Sequence, residues 1–173
     1  MGYRPGQREQ SGRHNRLSSR FDTPQTITLY SSTLELTDTA KLTITGPGAS
    51  LLTVNGSEIS GGVFEVTAGA TAALTGLTIT GGSADAGAGG GVFNDQGRLT
   101  LADAVISGNT GNKGGGLYSD DGTSMLTGCT ISGNTAAVQG GGLALNGGVL
   151  SLTDCTISGN KSGFQYEIGR AHV

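Results

Sequence analysis

The chain has 173 residues, which limits it to a single domain, and it contains 33 glycines, no tryptophan and only eight aromatic residues. Its core must therefore be built from aliphatic side chains, each contributing about 1.5–3 kcal/mol when buried. Residues 21–161 carry four basic and eleven acidic side chains, a net charge of −7, which argues against nucleic acid or an anionic membrane as a partner.

The first twenty residues, MGYRPGQREQSGRHNRLSSR, differ from the rest of the chain. They contain five of the ten basic residues and show no apolar periodicity, a composition typical of disorder. They also lack the apolar central run of a secretory signal. We therefore predict a disordered basic head over residues 1–20, outside the folded domain, with a nucleic-acid-binding arm as the alternative.

From residue 21 onward, short alternating runs rich in Thr, Leu, Ile and Val predict β-strands. The first strands lie in FDTPQTITL and LELTDTA. The LTITG of residues 42–46 matches residues 77–81. This match predicts a 35-residue coil between Ile44 and Ile79 that holds an extra loop or strand. No run is a candidate transmembrane segment.

Residues 99–160 repeat one pattern almost three times. Ile106, Ile131 and Ile157 occupy one repeat position, which gives periods of 25 and 26 residues, and glycine triplets at 89–91, 114–116 and 140–142 keep the same steps. A period of this length indicates a solenoid. Two or three short strands and tight turns in each period would close one coil, with the next coil stacked about 4.8 Å away.

A leucine-rich repeat has a similar period but requires a helical segment in each repeat. That segment would have to be GNTGNKGGG or GNTAAVQGGG, and both are poor in helix-forming residues. The pattern therefore predicts an all-β fold, a parallel β-helix over residues 21–160 with about five to six coils.

The motifs LTITGPGASLLTVNG, GLTITGG, GGGVFND, CTISGNTA and GGGLYSD, spread over about residues 21–160, resemble the right-handed parallel β-helix repeats of large bacterial surface and secreted proteins. Polymorphic outer membrane proteins and autotransporter-like adhesins carry such repeats. The resemblance implies a right-handed coil and a secreted or cell-surface location. Pectin-lyase-like enzymes share the fold, so the resemblance does not decide the function.

Two repeat positions predict internal ladders. Asn109, Asn134 and Asn160 share one position, where asparagine tolerates turn geometry and can bond its neighbours above and below. Cys129 and Cys155 share another. Stacking would bring the two cysteines within disulfide range. The same position is apolar in earlier coils, so we predict stacked buried thiols.

A third repeat position predicts an aromatic ladder. The dipeptides Val63-Phe64, Val92-Phe93 and Leu117-Tyr118 follow glycines in successive coils, which would stack Phe64, Phe93 and Tyr118. Such a ladder either supports adjacent coils or offers a platform on which a sugar ring stacks, and the structural interpretation is favoured.

Catalytic groups are scarce. The only histidines, His14 and His172, lie outside residues 21–160, which argues against a histidine-based triad or metal site in the body. Asp103 and Asp154 share a repeat position and could form a carboxylate pair. Because Gly128 occupies that position in the coil between them and no insertion forms a pocket, we predict no catalytic residues.

One acidic cluster suggests a metal ion. Asp95, Asp120 and Asn146 share a repeat position beside glycine turns, and Asp121 follows directly. Stacked carboxylates repel each other unless a cation or a proton intervenes, and calcium accepts carboxylate and turn-carbonyl oxygens in loose geometry. Calcium at Asp95, Asp120 and Asp121 is the only cofactor that the sequence suggests. The alternative is that these are solvated turn residues.

Residues 161–173 break the repeat pattern. We interpret them as a non-native tail on a β-helix truncated at its C-terminus, and we expect further coils in the native chain. The predicted function is a structural or adhesive segment of a larger secreted or cell-surface protein, without catalysis, whose ligands are polysaccharide or host and cell-surface molecules. The alternative is a fragment of a carbohydrate-active pectin-lyase-like enzyme or a polysaccharide-binding module.

Overall fold

The computed structural model describes residues 22–85 and 88–163. These residues form twenty β-strands and no α-helix, so no helix among them could cross a membrane. The first ten strands are β1 (Gln25–Thr28), β2 (Leu34–Leu36), β3 (Lys41–Thr45), β4 (Leu52–Asn55), β5 (Phe64–Val66), β6 (Thr71–Thr75), β7 (Thr78–Thr80), β8 (Ser83–Ala84), β9 (Val92–Asp95) and β10 (Arg98–Ala102). The others are β11 (Val105–Ser107), β12 (Thr110–Lys113), β13 (Leu117–Asp120), β14 (Thr123–Thr127), β15 (Thr130–Ser132), β16 (Thr135–Gln139), β17 (Leu143–Asn146), β18 (Val149–Thr153), β19 (Thr156–Ser158) and β20 (Lys161–Ser162).

The strands assemble into four parallel sheets, because each strand pairs only with its counterparts in the coils before and after it. Sheet I contains β1, β4, β7, β11, β15 and β19; sheet II contains β8, β12, β16 and β20; sheet III contains β2, β5, β9, β13 and β17; sheet IV contains β3, β6, β10, β14 and β18. The chain visits the sheets in that order, except that the first two coils pass from sheet I directly to sheet III. This arrangement confirms the predicted all-β parallel β-helix, with about five turns.

The number of strands per coil differs from the expectation of two or three. From β7 to β18 each coil contributes four strands, whereas the two coils before β7 have no strand in sheet II. The extra strand is made by residues such as Thr110–Lys113, whose sequence TGNK has little β-propensity. It extends because its backbone pairs in parallel with β8 and β16.

The predicted 35-residue coil is wrong. Ile79 lies opposite Val54 in sheet I, one coil of 25 residues away, whereas Ile44 lies opposite Leu74 in sheet IV. The two LTITG-like segments therefore belong to different sheets. Strands of both sheets alternate Thr with an aliphatic residue, so the motif alone does not distinguish them.

Two aliphatic columns form the centre of the core. Ile79, Ile106 and Ile131 stack in sheet I and are fully buried. Leu74, Leu101 and Leu126 stack in sheet IV in the same way and are 0–1% exposed. Each column repeats a residue of one size, so successive coils pack without voids or overlap.

The glycine triplets mark the closest approach between coils. A β-carbon on Gly115 would collide with the carbonyl oxygens of Thr135 and Gly141 in the next coil. Gly115 does not have a positive φ, so contact with neighbouring backbone, rather than backbone conformation, requires glycine there. Glycine in the triplets thus allows the backbones of adjacent coils to pack closely.

The last described strand lies beyond the boundary drawn at residue 160. Lys161 and Ser162 form β20 and pair with Thr135 and Ala136. The repeat backbone thus continues for two more residues although the sequence pattern has changed, because the pairing uses main-chain groups. The predicted head, residues 1–20, and the tail after residue 163 lie outside the described residues.

We predict that Gly115→Ala destabilises the protein more than Gly133→Ala. Gly133 has a φ of +62°, and no heavy atom lies within 4 Å of the position that a β-carbon would occupy there, so alanine costs only backbone strain of about 1–2 kcal/mol. Alanine at Gly115 has no such backbone strain but must push two coils apart against rigid backbone carbonyls. Overpacking of this kind typically costs about 1–3 kcal/mol, occasionally more. Urea denaturation of both variants measures the difference. Equal losses would contradict the close-packing explanation.

Candidate functional site

The interior holds a hydrogen-bonded asparagine ladder. Asn134 donates from Nδ2 to the Ile106 carbonyl at 2.9 Å, and its Oδ1 accepts from the backbone N–H of Asn109 at 3.0 Å. Asn160 repeats both bonds one coil later, to the Ile131 carbonyl and the Asn134 N–H, each at 2.9 Å. The structure thus places the three predicted residues in one column that satisfies buried turn groups of adjacent coils.

We predict that Asn134→Ala lowers the free energy of unfolding by about 3 kcal/mol or more. Asn134 is fully buried, and its removal takes the acceptor from the buried N–H of Asn109 and a donor from the Ile106 carbonyl. Each buried hydrogen bond left unmade costs about 1–3 kcal/mol. Asn146→Ala is the matched control, since Asn146 is exposed and makes one side-chain bond. Chemical denaturation that finds equal losses in the two variants would show that the ladder is not stabilising.

Cys129 and Cys155 are both free, with Cys129 buried and Cys155 half-buried. Their sulfurs donate to the carbonyls of Thr127 and Thr153 at 3.4 and 3.3 Å. Burial is the main cause that raises the pKa of the Cys129 thiol, which disfavours the reactive thiolate. Cys129 therefore occupies the core as a small apolar group rather than as a nucleophile, and Cys155 packs against the same core.

A second buried polar cluster was not predicted. The amide of Asn94 donates from Nδ2 to the Ser124 hydroxyl at 2.9 Å, and that hydroxyl lies 3.1 Å from the Ser119 hydroxyl. All three side chains are fully buried. Asn94 and Ser119 share one column, and Ser124 lies in another. Both columns are aliphatic in other coils, so no repeated polar residue marks the cluster in the sequence.

The predicted aromatic ladder is partly wrong. Phe93 and Tyr118 face each other in sheet III with ring centroids 5.4 Å apart and planes 5° apart. Phe64, however, lies opposite Val92, and its place beside Phe93 is taken by Glu65. Phe64 is 1% exposed and belongs to the core.

Strand β5 is therefore shifted by one residue from the predicted register, and this shift has a physical reason. In the register expected from the glycines, Glu65 would lie opposite Asn94, a position with no solvent exposure. Burying an unpaired carboxylate costs far more than moving the strand by one residue. The observed register places Val66 opposite Asn94 and leaves Glu65 on the outer face.

The outward-facing column of sheet III thus contains both acidic and aromatic side chains. Glu35 lies opposite Glu65, Glu65 opposite Phe93, and Phe93 opposite Tyr118. Tyr118 is only 3% exposed although it points outward. Phe93 covers one face of its ring, and the Lys113 ammonium lies 5.4 Å from the ring centroid. Phe93 itself remains partly exposed.

A cavity of about 310 Å³ lies where sheet II begins. The preceding coil has no strand in that sheet, so β8 has no parallel partner on that side and makes only an isolated antiparallel bridge to Gly61. The missing strand leaves a notch in the outer surface. Its lining includes Thr33, Ser60, Phe64, Glu65, Asp85 and Phe93.

Glu65 is the electrostatically perturbed group of this notch. Burial raises the pKa of its carboxyl, and the neighbouring carboxylates of Glu35 and Asp95 raise it further. The charged form of Glu65 is therefore disfavoured in the folded protein, and a positive charge nearby would offset this cost.

We predict that Glu65→Gln raises the melting temperature at pH 7 and leaves it unchanged at about pH 3. The folded-state pKa is raised, so the stability from this group is present below the ordinary pKa of about 4.3. It is lost as the pH rises through the folded-state pKa. A neutral glutamine avoids that loss. Glu58→Gln, at an exposed turn, is the control; an equal gain there would point to net charge instead.

The predicted calcium ligands are adjacent in register but bond to amides. Asp95 lies opposite Asp120, and Asp120 opposite Asn146. The Asn146 amide donates to Asp120 at 2.6 Å, and the Gln96 amide donates to Asp95 at 3.1 Å. Amide donors thus already offset part of the repulsion that suggested a cation.

Asp121 is placed by its turn. Its φ is +47°, and Gln96 and Gly147 at the same turn in adjacent coils have φ values of +57° and +69°. Aspartate tolerates this left-handed conformation better than most side chains. Within residues 22–85 and 88–163, no three His, Cys, Asp or Glu side chains form a group that could hold a metal ion. The calcium site stays a prediction.

The calcium prediction requires that millimolar calcium raise the melting temperature of the wild type and not of Asp120→Asn, since a ligand stabilises the state that binds it. Magnesium at the same concentration controls for ionic strength. An unchanged wild-type midpoint would mean that the cluster binds no calcium at these concentrations.

Asp103 and Asp154 also lie at a left-handed turn position. Their φ values are +48° and +52°, and Gly76 and Gly128 hold +64° and +63° at the same position in neighbouring coils. The turn between sheets IV and I therefore accepts glycine or aspartate. This conformational requirement explains the repetition of Asp103 and Asp154 without catalysis.

Comparison with known proteins supports the architecture. A family model described as "Right handed beta helix region" matches residues 61–172, more than half of the chain. Searches among curated proteins and among solved structures each found no significant match. The matched region includes the glycine triplets, the asparagine ladder and all strands from β5 to β20. The chain belongs to the right-handed β-helix family.

Proposed function

We propose that this chain is a structural and adhesive β-helix segment of a larger secreted or cell-surface protein. The supporting observation is the continuous parallel strand pairing of the solenoid. Equivalent residues pair from coil to coil in all four sheets, and every buried side-chain polar atom of the described residues has a hydrogen-bond partner. Such a fold is a stiff rod whose outer face is free to present side chains.

The outer face of sheet III supports the adhesive part of the proposal. It offers the partly exposed ring of Phe93 beside the carboxylates of Glu65 and Asp95. An aromatic face with polar groups around it suits a polysaccharide or a molecule on a host or cell surface. The acidic body disfavours nucleic acid.

Further coils of the native chain are the proposed neighbours of the last strands. Leu152 and Ile157 belong to inward columns, yet they are 41% and 49% exposed. Burying each of them against another coil would contribute about 1 kcal/mol or more.

A second candidate, a fragment of a carbohydrate-active enzyme or a polysaccharide-binding module, is supported by the notch. Two carboxylates, Glu65 and Asp85, line it together with Phe93. A carboxyl with a raised pKa can serve as a general acid in glycoside hydrolysis.

One experiment separates the adhesive segment from the enzyme. The purified chain is run through gels containing neutral, acidic and amino polysaccharides, and the same polymers are analysed for shortened products after incubation. Retarded migration without shortening is the expected result. Shortening that is lost in Glu65→Gln would favour the enzyme. If the polymers neither retard the chain nor are shortened by it, the chain is a structural rod without adhesion to these polymers.

The proposed location is tested with the full-length gene. Antibodies against the β-helix should label intact cells or the culture medium. Labelling that appears only after lysis would contradict a secreted or cell-surface protein.

A further inference from the structure

The notch at the start of sheet II is an interruption of the repeat. It exists because the coil that carries β5 has no strand in sheet II, while the next coil does. Its volume of about 310 Å³ is at the lower end of the range for small-molecule sites. It therefore admits a small group or one end of a larger ligand.

One wall of the notch is an aromatic face. Tyr118 covers the side of Phe93 that points to the next coil, while Glu65 is the neighbour of Phe93 on the other side. Phe93 lines the notch together with Glu65. The far end of the same stack already holds a cation, since the Lys113 ammonium lies 5.4 Å from the Tyr118 centroid. Aromatic faces attract ammonium groups in this geometry.

The charged side chains that line the notch are both acidic. Glu65 and Asp85 line the notch, and the carboxylates of Glu35 and Asp95 are close enough to disfavour the charged form of Glu65. Among the described residues, no basic group counters these effects on Glu65. An incoming positive charge would relieve the repulsion among these groups, whereas an incoming carboxylate or sulfate would increase it.

We propose that the notch binds a ligand bearing a primary ammonium group on an apolar or ring-shaped stem, with the ammonium beside Glu65 and Asp85 and the stem against Phe93. Amino sugars and alkyl diamines share this chemistry. The site does not depend on the proposed structural role, because it follows from the notch and its lining alone.

The test uses charged and neutral probes of matched shape. Isothermal titration calorimetry at low ionic strength compares a glucosamine trimer with its fully N-acetylated form, and 1,5-diaminopentane with 1,5-pentanediol. The amines should bind at least tenfold more tightly than their neutral counterparts, and 0.5 M salt should weaken their binding. Binding of the glucosamine trimer alone identifies an amino sugar as the source; binding of both amines identifies a general ammonium site.

Two variants locate the site. Glu65→Gln and Phe93→Leu should each weaken amine binding at least tenfold. Asp154→Asn is the matched control, because it removes the same charge from an exposed turn in the last coil and should leave binding unchanged. Circular dichroism melts of all three variants establish that each remains folded at the temperature of the titration.

Three outcomes would overturn the proposal. Equal binding of the acetylated and free trimers would show a site for neutral sugars rather than ammonium groups. Equal weakening by Asp154→Asn would show diffuse attraction to an acidic body. No measurable binding of either amine at millimolar concentration would show that the notch does not bind ammonium ligands.

Discussion

The structure depends on the stacking of like residues on like. In a parallel β-helix each side chain lies about 4.8 Å from its counterparts in the coils before and after it, so every position becomes a column whose members must tolerate one another. Isoleucines and leucines satisfy this condition by packing, and asparagines satisfy it by bonding the neighbouring backbone. Stacked carboxylates repel each other, and those that do stack, Glu35 on Glu65 and Asp95 on Asp120, lie on the outer face and beside a turn. There an amide donor from Asn146 offsets part of the repulsion at Asp120.

The columns built from the most regular repeat units could be predicted from the sequence. A period that hardly varies predicts two columns, Ile106–Ile131–Ile157 and Asn109–Asn134–Asn160. Because the members of each column are identical, only one register stacks them on one another. Prediction was wrong where the period changes. Phe64 and the LTITG of residues 42–46 were aligned by local similarity, whereas the structure selects the register that keeps Glu65 out of the core.

The chemistry of the outer face could not be predicted, for a related reason. The notch forms where one coil has a strand that its neighbour does not have, and its lining comes from segments with no common repeat position. The Asn94, Ser119 and Ser124 cluster likewise joins two columns, one on each side of the turn between sheets III and IV. Such contacts between columns depend on the cross-section of the coil, which a repeat length does not specify.

The asparagine ladder also has a direction. Asn134 bonds the N–H of Asn109 and the carbonyl of Ile106, both in the coil before it, and Asn160 does the same for the coil of Asn134. Each turn of the solenoid is therefore completed by the turn that follows it in the chain. The two ends of such a solenoid are not equivalent: at the N-terminal end a new coil must supply only strands, whereas at the C-terminal end it must also supply the amide that closes its predecessor. From β7 onward, where the asparagines provide these bonds, the hydrogen bonding of each coil is thus complete only when the next coil is present, which gives this part of the solenoid a structural polarity.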